Sequence, residues 1–349
     1  MNRPHWLISA AAFVIILAGV QAAASLLTPF LLSVFIAIIG WPVLDWLHRR
    51  GWPWGVAITV VVLGLLVIMM LMGVFVGKSI DSFIENLPSY QNRLRENTAG
   101  LFAHLQRYGF NTSYDVIEQY TDPGKIMQFA GKMLTALGGA FTNTALILFY
   151  VAFIFLEAVI LPDKLKMAFG DSRFAARFED FFVKLRRYLN LKTLISLATG
   201  VAVALWLVIV GVDYPVLWGV VAFVLNFIPN IGSFIAAVPA ILLALVQLGL
   251  GPAFYTALGY LVINTIIGGI IDPRVVGSGL GLSTLVVFLS LMFWGWILGP
   301  VGMFLSVPMT IIVKMFLESH PETRWIAVLL GSGKEISAIA MENGVKNNS

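Results

Sequence analysis

The chain contains no cysteine, which excludes disulfides, thiolate metal sites and cysteine redox chemistry. Charge is scarce as well: 11% of its 349 residues are Asp, Glu, Lys or Arg, where a soluble domain carries about a quarter. The four histidines, His5, His48, His104 and His320, are scattered and show no metal-ligand spacing with carboxylates. No basic patch interleaved with aromatics argues for nucleic acid, and the net charge of +4 reflects loop asymmetry. Gly331-Ser-Gly333-Lys334-Glu335 resembles part of a phosphate loop. It lacks the four-residue spacing and the Ser or Thr after Lys, so no ATPase is expected.

What the chain does have is apolar length. Hydrophobic residues make up 59% of it and mean hydropathy is +0.91, so it cannot cover itself in water. Six blocks are free of Asp, Glu, Lys and Arg: Trp6–Leu44, Gly51–Gly77, Met133–Leu156, Thr193–Val212, Tyr214–Ile271 and Val275–Val313. A spanning helix needs about 20 apolar residues, so these blocks hold about eight to ten passes. The predicted fold is all-α: a polytopic integral membrane protein of about eight membrane helices, broken or re-entrant hairpins among them, with amphipathic interfacial helices. The first apolar stretch follows Arg3 and His5 without a small-residue cleavage site, which predicts a retained first helix with a cytoplasmic start.

Lys and Arg in short connections set orientation. His48-Arg49-Arg50 is placed inside, the charge-balanced segment 78–132 outside, and the segment 157–192, with eight basic residues against five acidic, inside again. Both segments carry helical periodicity: Ile80, Phe83, Ile84 and Leu87, continued by Leu94, Leu101, Phe102 and Leu105 after Pro88, and Phe174, Phe178, Phe181, Phe182, Leu185, Tyr188 and Leu189. The latter face, flanked by Arg173, Arg177, Lys184, Arg186 and Arg187, suits either a helix lying on an anionic leaflet before a turn inward at Thr193, or one packed on its own subunit. The expected divisions are 1–77 (N-terminal membrane helices), 78–132 (extracytoplasmic helical segment), 133–156 (membrane helix), 157–192 (cytoplasmic amphipathic segment), 193–318 (transport core with two broken hairpins) and 319–349 (cytoplasmic tail).

Two interruptions stand inside apolar sequence: Pro229, Asn230, Gly232 and Ser233, then Gly295, Gly299, Pro300 and Gly302. The stretches beside them are short for a span, which reads as half-helices folded into hairpins, with tilted full spans or simple kinks as the alternatives. Irregular backbone at membrane depth is tolerated only where it is buried in protein or lines a wet cavity, so both tips are candidate walls of a solute site. On the hairpin reading one enters from the outside after Asp213 and the other from the inside after Arg274.

Asn226-Phe-Ile-Pro229-Asn230-Ile-Gly232-Ser233, Asp272-Pro273-Arg274, Gly279-Leu-Gly281-Leu282-Ser283 and Phe293-Trp294-Gly295-Trp296-Ile-Leu-Gly299-Pro300-Val-Gly302-Met303, with Leu87-Pro88-Ser-Tyr90 in the outer segment, together resemble the autoinducer-2 exporter (AI-2E) family. The resemblance implies a bacterial inner-membrane transporter, a pentamer, that moves the small polar furanone-type signal autoinducer-2 out of the cell without a cofactor. Other members resemble sodium or lithium/proton antiporters, which is the second expectation; a membrane scaffold whose transport is incidental is the third. Ala240 follows Pro239 where the resemblance implies a second proline in many members of the family.

The candidate substrate-pathway residues are Asn226, Pro229, Asn230, Gly232, Ser233, Asn264, Asp272, Arg274, Trp294, Gly295, Gly299 and Pro300. The uncharged polar groups suit a hydroxyl-rich solute, and helix–helix bonding explains each of them equally well. Asp272 and Arg274 form an ionisable pair near a helix end, a site by default or else a surface anchor. Trp294 and Trp296 stack on a ring or mark an interfacial belt. Glu157 and Asp213 end apolar blocks and read as helix-end charges facing water, or as groups that titrate during transport.

Overall fold

The computed structural model describes residues 5–107, 131–132, 134–135, 143–169, 173–229, 231–275, 282–319 and 322–332. Asn230, the Gly279-Leu-Gly281 motif and the residues beyond 332 lie outside the described residues, as do the side chains of Leu94, Leu101, Phe102, Leu105, Phe174, Phe178 and Phe181. Among the described residues the regular structure is helical, apart from one isolated antiparallel bridge between Leu282 and Gly331.

The helices are α1 (His5–Ala22), α2 (Ala24–Arg49), α3 (Trp54–Arg107), α4 (Thr144–Phe169), α5 (Arg173–Val210), α6 (Pro215–Leu225), α7 (Gly232–Leu248), α8 (Leu250–Ile263) with a π-helical continuation (Asn264–Ile271), α9 (Asp272–Val275), α10 (Thr284–Ser319) and α11 (Arg324–Leu330). Among the described residues six stretches are long and apolar enough to cross a membrane: Ala24–Arg49, Trp54–Tyr90, Thr144–Ala168, Phe182–Val210, Leu250–Ile271 and Thr284–Ser319. Two shorter apolar helices, Pro215–Leu225 and Gly232–Leu248, accompany them. Their outward surfaces are apolar: Leu63, Val67, Met70 and Leu71 on α3 and Phe254, Leu258 and Leu261 on α8 are all exposed, as lipid contact requires and water forbids.

Charge marks helix ends less faithfully than the sequence suggests. The α3 helix runs from apolar residues straight through Lys78 and Pro88, α4 continues past Glu157 and Pro162, and α5 joins the amphipathic face to the apolar one without a turn. The expected turn inward at Thr193 is absent. No Gly or Pro stands there to break the ladder, and the Thr193 hydroxyl donates back to the Leu189 carbonyl within the same helix.

The described chain divides into two compact units, one formed by Met1–Gly64, Ala145–Thr193 and Pro273–Ser349, the other by Leu65–Thr144 and Leu194–Asp272. In the first, α10 packs against α1, α2 and α11. Phe35 meets Phe304 edge-on at 4.8 Å, and the Ser33 hydroxyl bridges the Pro29 carbonyl and the Ile147 carbonyl of α4. In the second, α7 packs on both α6 and α8. Buried alanines Ala236, Ala240 and Ala244 let those backbones approach. The α7 helix passes through Pro239 unbroken, and Ala240 keeps the backbone N–H that a second proline would remove.

Candidate functional site

Both interruptions are helical hairpins. In the first, α6 ends at Leu225 and the chain turns through Asn226–Ile231 into α7. The turn closes on its own backbone: the Ile228 amide donates to the Leu225 carbonyl at 2.8 Å, the Ile231 amide to the Pro229 carbonyl at 2.7 Å, and the Gly232 amide to the Ile228 carbonyl at 3.2 Å. Pro229 has no N–H to satisfy. A Cβ at Gly232 would overlap the Leu225 carbonyl oxygen, so the arms meet at a point that admits glycine alone. Pro229 and Ser233 are half-buried beside this contact.

In the second hairpin Gly299 adopts φ 68° and ψ −150°, a backbone that side chains oppose, and Pro300 restarts the helix where its missing N–H does no harm. The arms 284–298 and 300–319 fold back on each other. The Trp294 indole N–H donates to the Thr310 hydroxyl at 3.0 Å, although sixteen residues of straight helix would separate them by about 24 Å. The Thr310 hydroxyl in turn donates to the Ser306 carbonyl. A Cβ at Gly302 would overlap the Trp294 carbonyl oxygen, and one at Gly295 would press on the Met303 side chain. Trp296 lies 61% exposed, as a belt residue does.

Between the hairpins in sequence, Asn264 opens the π-helical segment Asn264–Ile271, none of whose residues is buried. Asp272 follows, half-buried, and Arg274 is exposed. Eight residues of π-helix are unusual, and such widened turns concentrate at functional sites. Among the described residues, then, Asn226, Pro229, Gly232 and Ser233 gather at one hairpin, Trp294, Gly295, Gly299 and Pro300 at the other, while Asn264, Asp272 and Arg274 follow one another along the π segment and its exit.

The structure assigns partners to several groups. The Asn226 side-chain amide donates to the Ser196 hydroxyl of α5 at 3.0 Å, both buried, which is the helix–helix bond that the sequence leaves open. Asp213 accepts from the Tyr90 hydroxyl at 3.0 Å and its amide donates to the Gln247 side chain at 3.0 Å. Asn86 donates to the Tyr214 hydroxyl, and Phe83 stands edge-on to Trp218 at 5.8 Å. The base of the first hairpin is thereby tied to the polar extension of α3. Glu157, inside α4, pairs with Lys164 at 2.7 Å with both side chains more than half exposed, so it is a surface charge along the helix and not a charge at its end.

Sequence reasoning misses Ser196, Thr310 and Gln247, because each matters through a neighbour far away in the chain, and it marks Tyr90 for the family resemblance without its bond to Asp213. It also misses Lys192 and Lys314, which flank apolar blocks in the sequence. Both are buried, Lys314 with Glu318 at 3.5 Å. The signal available is that neither is followed by a helix breaker.

The Asn226–Ser196 bond predicts a coupling measurable by a double-mutant cycle. Asn226→Ala and Ser196→Ala are each expected to lower stability by about 1 kcal/mol, with the double variant no worse than the poorer single, since intramembrane bonds of this kind average about 0.6 and reach about 2 kcal/mol. Additive losses in thermal or denaturant unfolding would contradict the bond.

The family model described as AI-2E family transporter matches residues 10–322. The AI-2 transport protein TqsA of Escherichia coli (strain K12) is 41% identical over 318 residues, covering 91% of this chain and 92% of that protein. A Haemophilus influenzae protein, described provisionally as a transport protein, is 41% identical over 339 residues, covering 95% and 97% of the two chains. YhhT of E. coli (strain K12), described in the same provisional terms, is 37% identical over 336 residues, covering 96% of each.

Proposed function

This chain belongs to the AI-2E family of transporters, and on that premise we propose that it exports autoinducer-2 or a similar small polar metabolite. The observation that carries the substrate is the likeness to TqsA, the relative named for AI-2 transport, over nearly all of both chains. The geometry is suited to such a cargo. Two hairpins of apolar sequence carry small residues and uncharged polar groups at their turns, which can exchange hydrogen bonds with a hydroxyl-rich solute without committing a charge to the bilayer.

The reading extends to setting and energy. The protein sits in the bacterial inner membrane with both termini cytoplasmic, as a homo-oligomer, a pentamer by the family resemblance. Transport runs down a gradient by alternating access, with no catalytic step. The pathway residues are those named above: Pro229, Asn230, Gly232 and Ser233 at the first turn, Asn264, Asp272 and Arg274 along the π segment, and Trp294, Gly295, Gly299 and Pro300 at the second turn, with Asn226 bracing the first.

Deleting the gene is expected to raise intracellular signal and to lower its appearance in the medium at equal total synthesis. Purified protein in liposomes should then release loaded signal faster than empty liposomes. A deletion that leaves the inside-to-outside ratio unchanged sinks the substrate. Lithium- or sodium-driven proton movement in the same vesicles would replace it with the antiport reading.

A further inference from the structure

The corner where α2 passes into α3 gathers aromatic and basic groups that neither hairpin uses, all within the first compact unit. His48 stacks on Trp54 with ring centroids 3.7 Å apart, and Trp54 leans on Trp41 at 6.2 Å. Above Trp41, at 4.9 Å from its ring, lies the guanidinium of Arg186 from α5. The Arg50 guanidinium lies 3.8 Å over Trp46. The turn is pinned by the Trp52 carbonyl beside His48 Nδ1 at 3.1 Å. Trp46 and Trp52 remain 50% and 41% exposed.

Two features separate this corner from ordinary packing. Exposed tryptophans at the end of an apolar span occupy the headgroup level of a bilayer, with the ring against acyl chains and the N–H toward water. Among the described residues the corner carries Arg49 and Arg50, both exposed, and half-buried Arg186, against Asp45, which holds Arg49 at 2.9 Å and acts on Arg186 from farther away. Among the described residues neither Arg50 nor Arg186 forms an ion pair. Stacking on an indole fixes a guanidinium plane and leaves its N–H edge for a ligand, and the planar fork matches phosphate oxygens two at a time.

We propose that this corner is a binding site for the headgroup of an anionic phospholipid, with Arg50 and Arg186 supplying the phosphate donors and Trp46 and Trp52 the contact with the glycerol and acyl boundary. The occupant is a lipid and not free phosphate, because the charges border exposed indole and apolar helix surface that an inorganic ion leaves uncovered. The site is independent of the transported solute.

The test is the thermal midpoint of the full chain in dodecyl maltoside with added phosphatidylglycerol, phosphatidylcholine or inorganic phosphate, together with native mass spectrometry of the lipid retained. Phosphatidylglycerol is expected to raise the midpoint and to stay bound, phosphatidylcholine and phosphate to do neither. The gain should shrink as salt rises from about 50 to about 500 mM, because exposed charges are screened. The double variant Arg50→Gln/Arg186→Gln should lose at least half of the gain, and Lys78→Gln, an exposed cation elsewhere, should keep all of it. Arg186→Gln also strips packing from Trp41, so where the double variant is not recovered Arg50→Gln alone, at an exposed side chain, settles the matter by the same criterion. Equal gains from the two lipids, a gain from phosphate alone, or a full gain in the Arg50 variants would overturn the site.

Discussion

Replacing Gly302 by alanine is expected to abolish the folded protein, while the same change at Gly64 leaves it intact or slightly steadier. The difference lies in what the added methyl meets. At Gly302 it overlaps the carbonyl oxygen of Trp294, with the carbonyl carbon at 2.7 Å and the Leu298 Cβ at 2.8 Å. These are backbone and Cβ atoms, so no rotamer change relieves the clash, and the arms must separate. Separation breaks the Trp294–Thr310 bond and unpacks buried Ile297, Leu298 and Leu305. Overpacking costs about 1–3 kcal/mol where side chains can adjust, and here they cannot. A loss of about 3 kcal/mol or more is a large share of a stability of about 5–15 kcal/mol. At Gly64 nothing lies within 4 Å, and a helical Gly→Ala change gains about 0.5–1 kcal/mol. Gly232→Ala should fail as Gly302→Ala does, since its methyl meets the Leu225 carbonyl. Size-exclusion profiles and thermal midpoints of the three variants decide it; indistinguishable profiles would mean that the second hairpin is not closed as described.

The hairpins are legible in the sequence because proline and glycine act locally. Gly299-Pro300 dictates a break from its own backbone alone, and Pro229 with Gly232 does the same in a run otherwise free of charged residues. Partners across a fold-back are another matter. Nothing near Trp294 points to Thr310, and nothing near Asn226 points to Ser196, thirty residues earlier, because the register of two arms is set by where small residues let them touch. Helix ends are misplaced for a related reason. Charges divide apolar blocks, yet a helix continues through Lys78, Glu157 or Lys192 wherever the ladder is intact and the side chain finds water or a partner. The π segment leaves no compositional mark: Asn264-Thr-Ile-Ile-Gly268-Gly269-Ile-Ile271 suits an ordinary membrane helix equally well.

Asp272→Asn is expected to slow efflux about tenfold or more with expression and thermal midpoint unchanged, a barrier change of about 1.4 kcal/mol. The residue sits where the π segment ends, its own amide bonded back to the Ile267 carbonyl, and it is half-buried at the end of a stretch apolar enough to cross the bilayer. A carboxylate in that position is expensive to keep and is retained where it meets a solute, an ion or a fixed cation. The asparagine change removes charge while preserving shape, so a structural carboxylate would report itself through stability and a transport carboxylate through rate. Arg274, exposed two residues on, carries the companion test: as a pathway residue its change to Gln should also slow flux per inserted molecule, whereas loss of a surface anchor would lower insertion and yield in proportion to flux, leaving flux per molecule unchanged. Should Asp272→Asn behave in that second way, with flux per inserted molecule intact in liposomes, the carboxylate is an anchor, and the pathway residues are to be sought at the two hairpin turns alone.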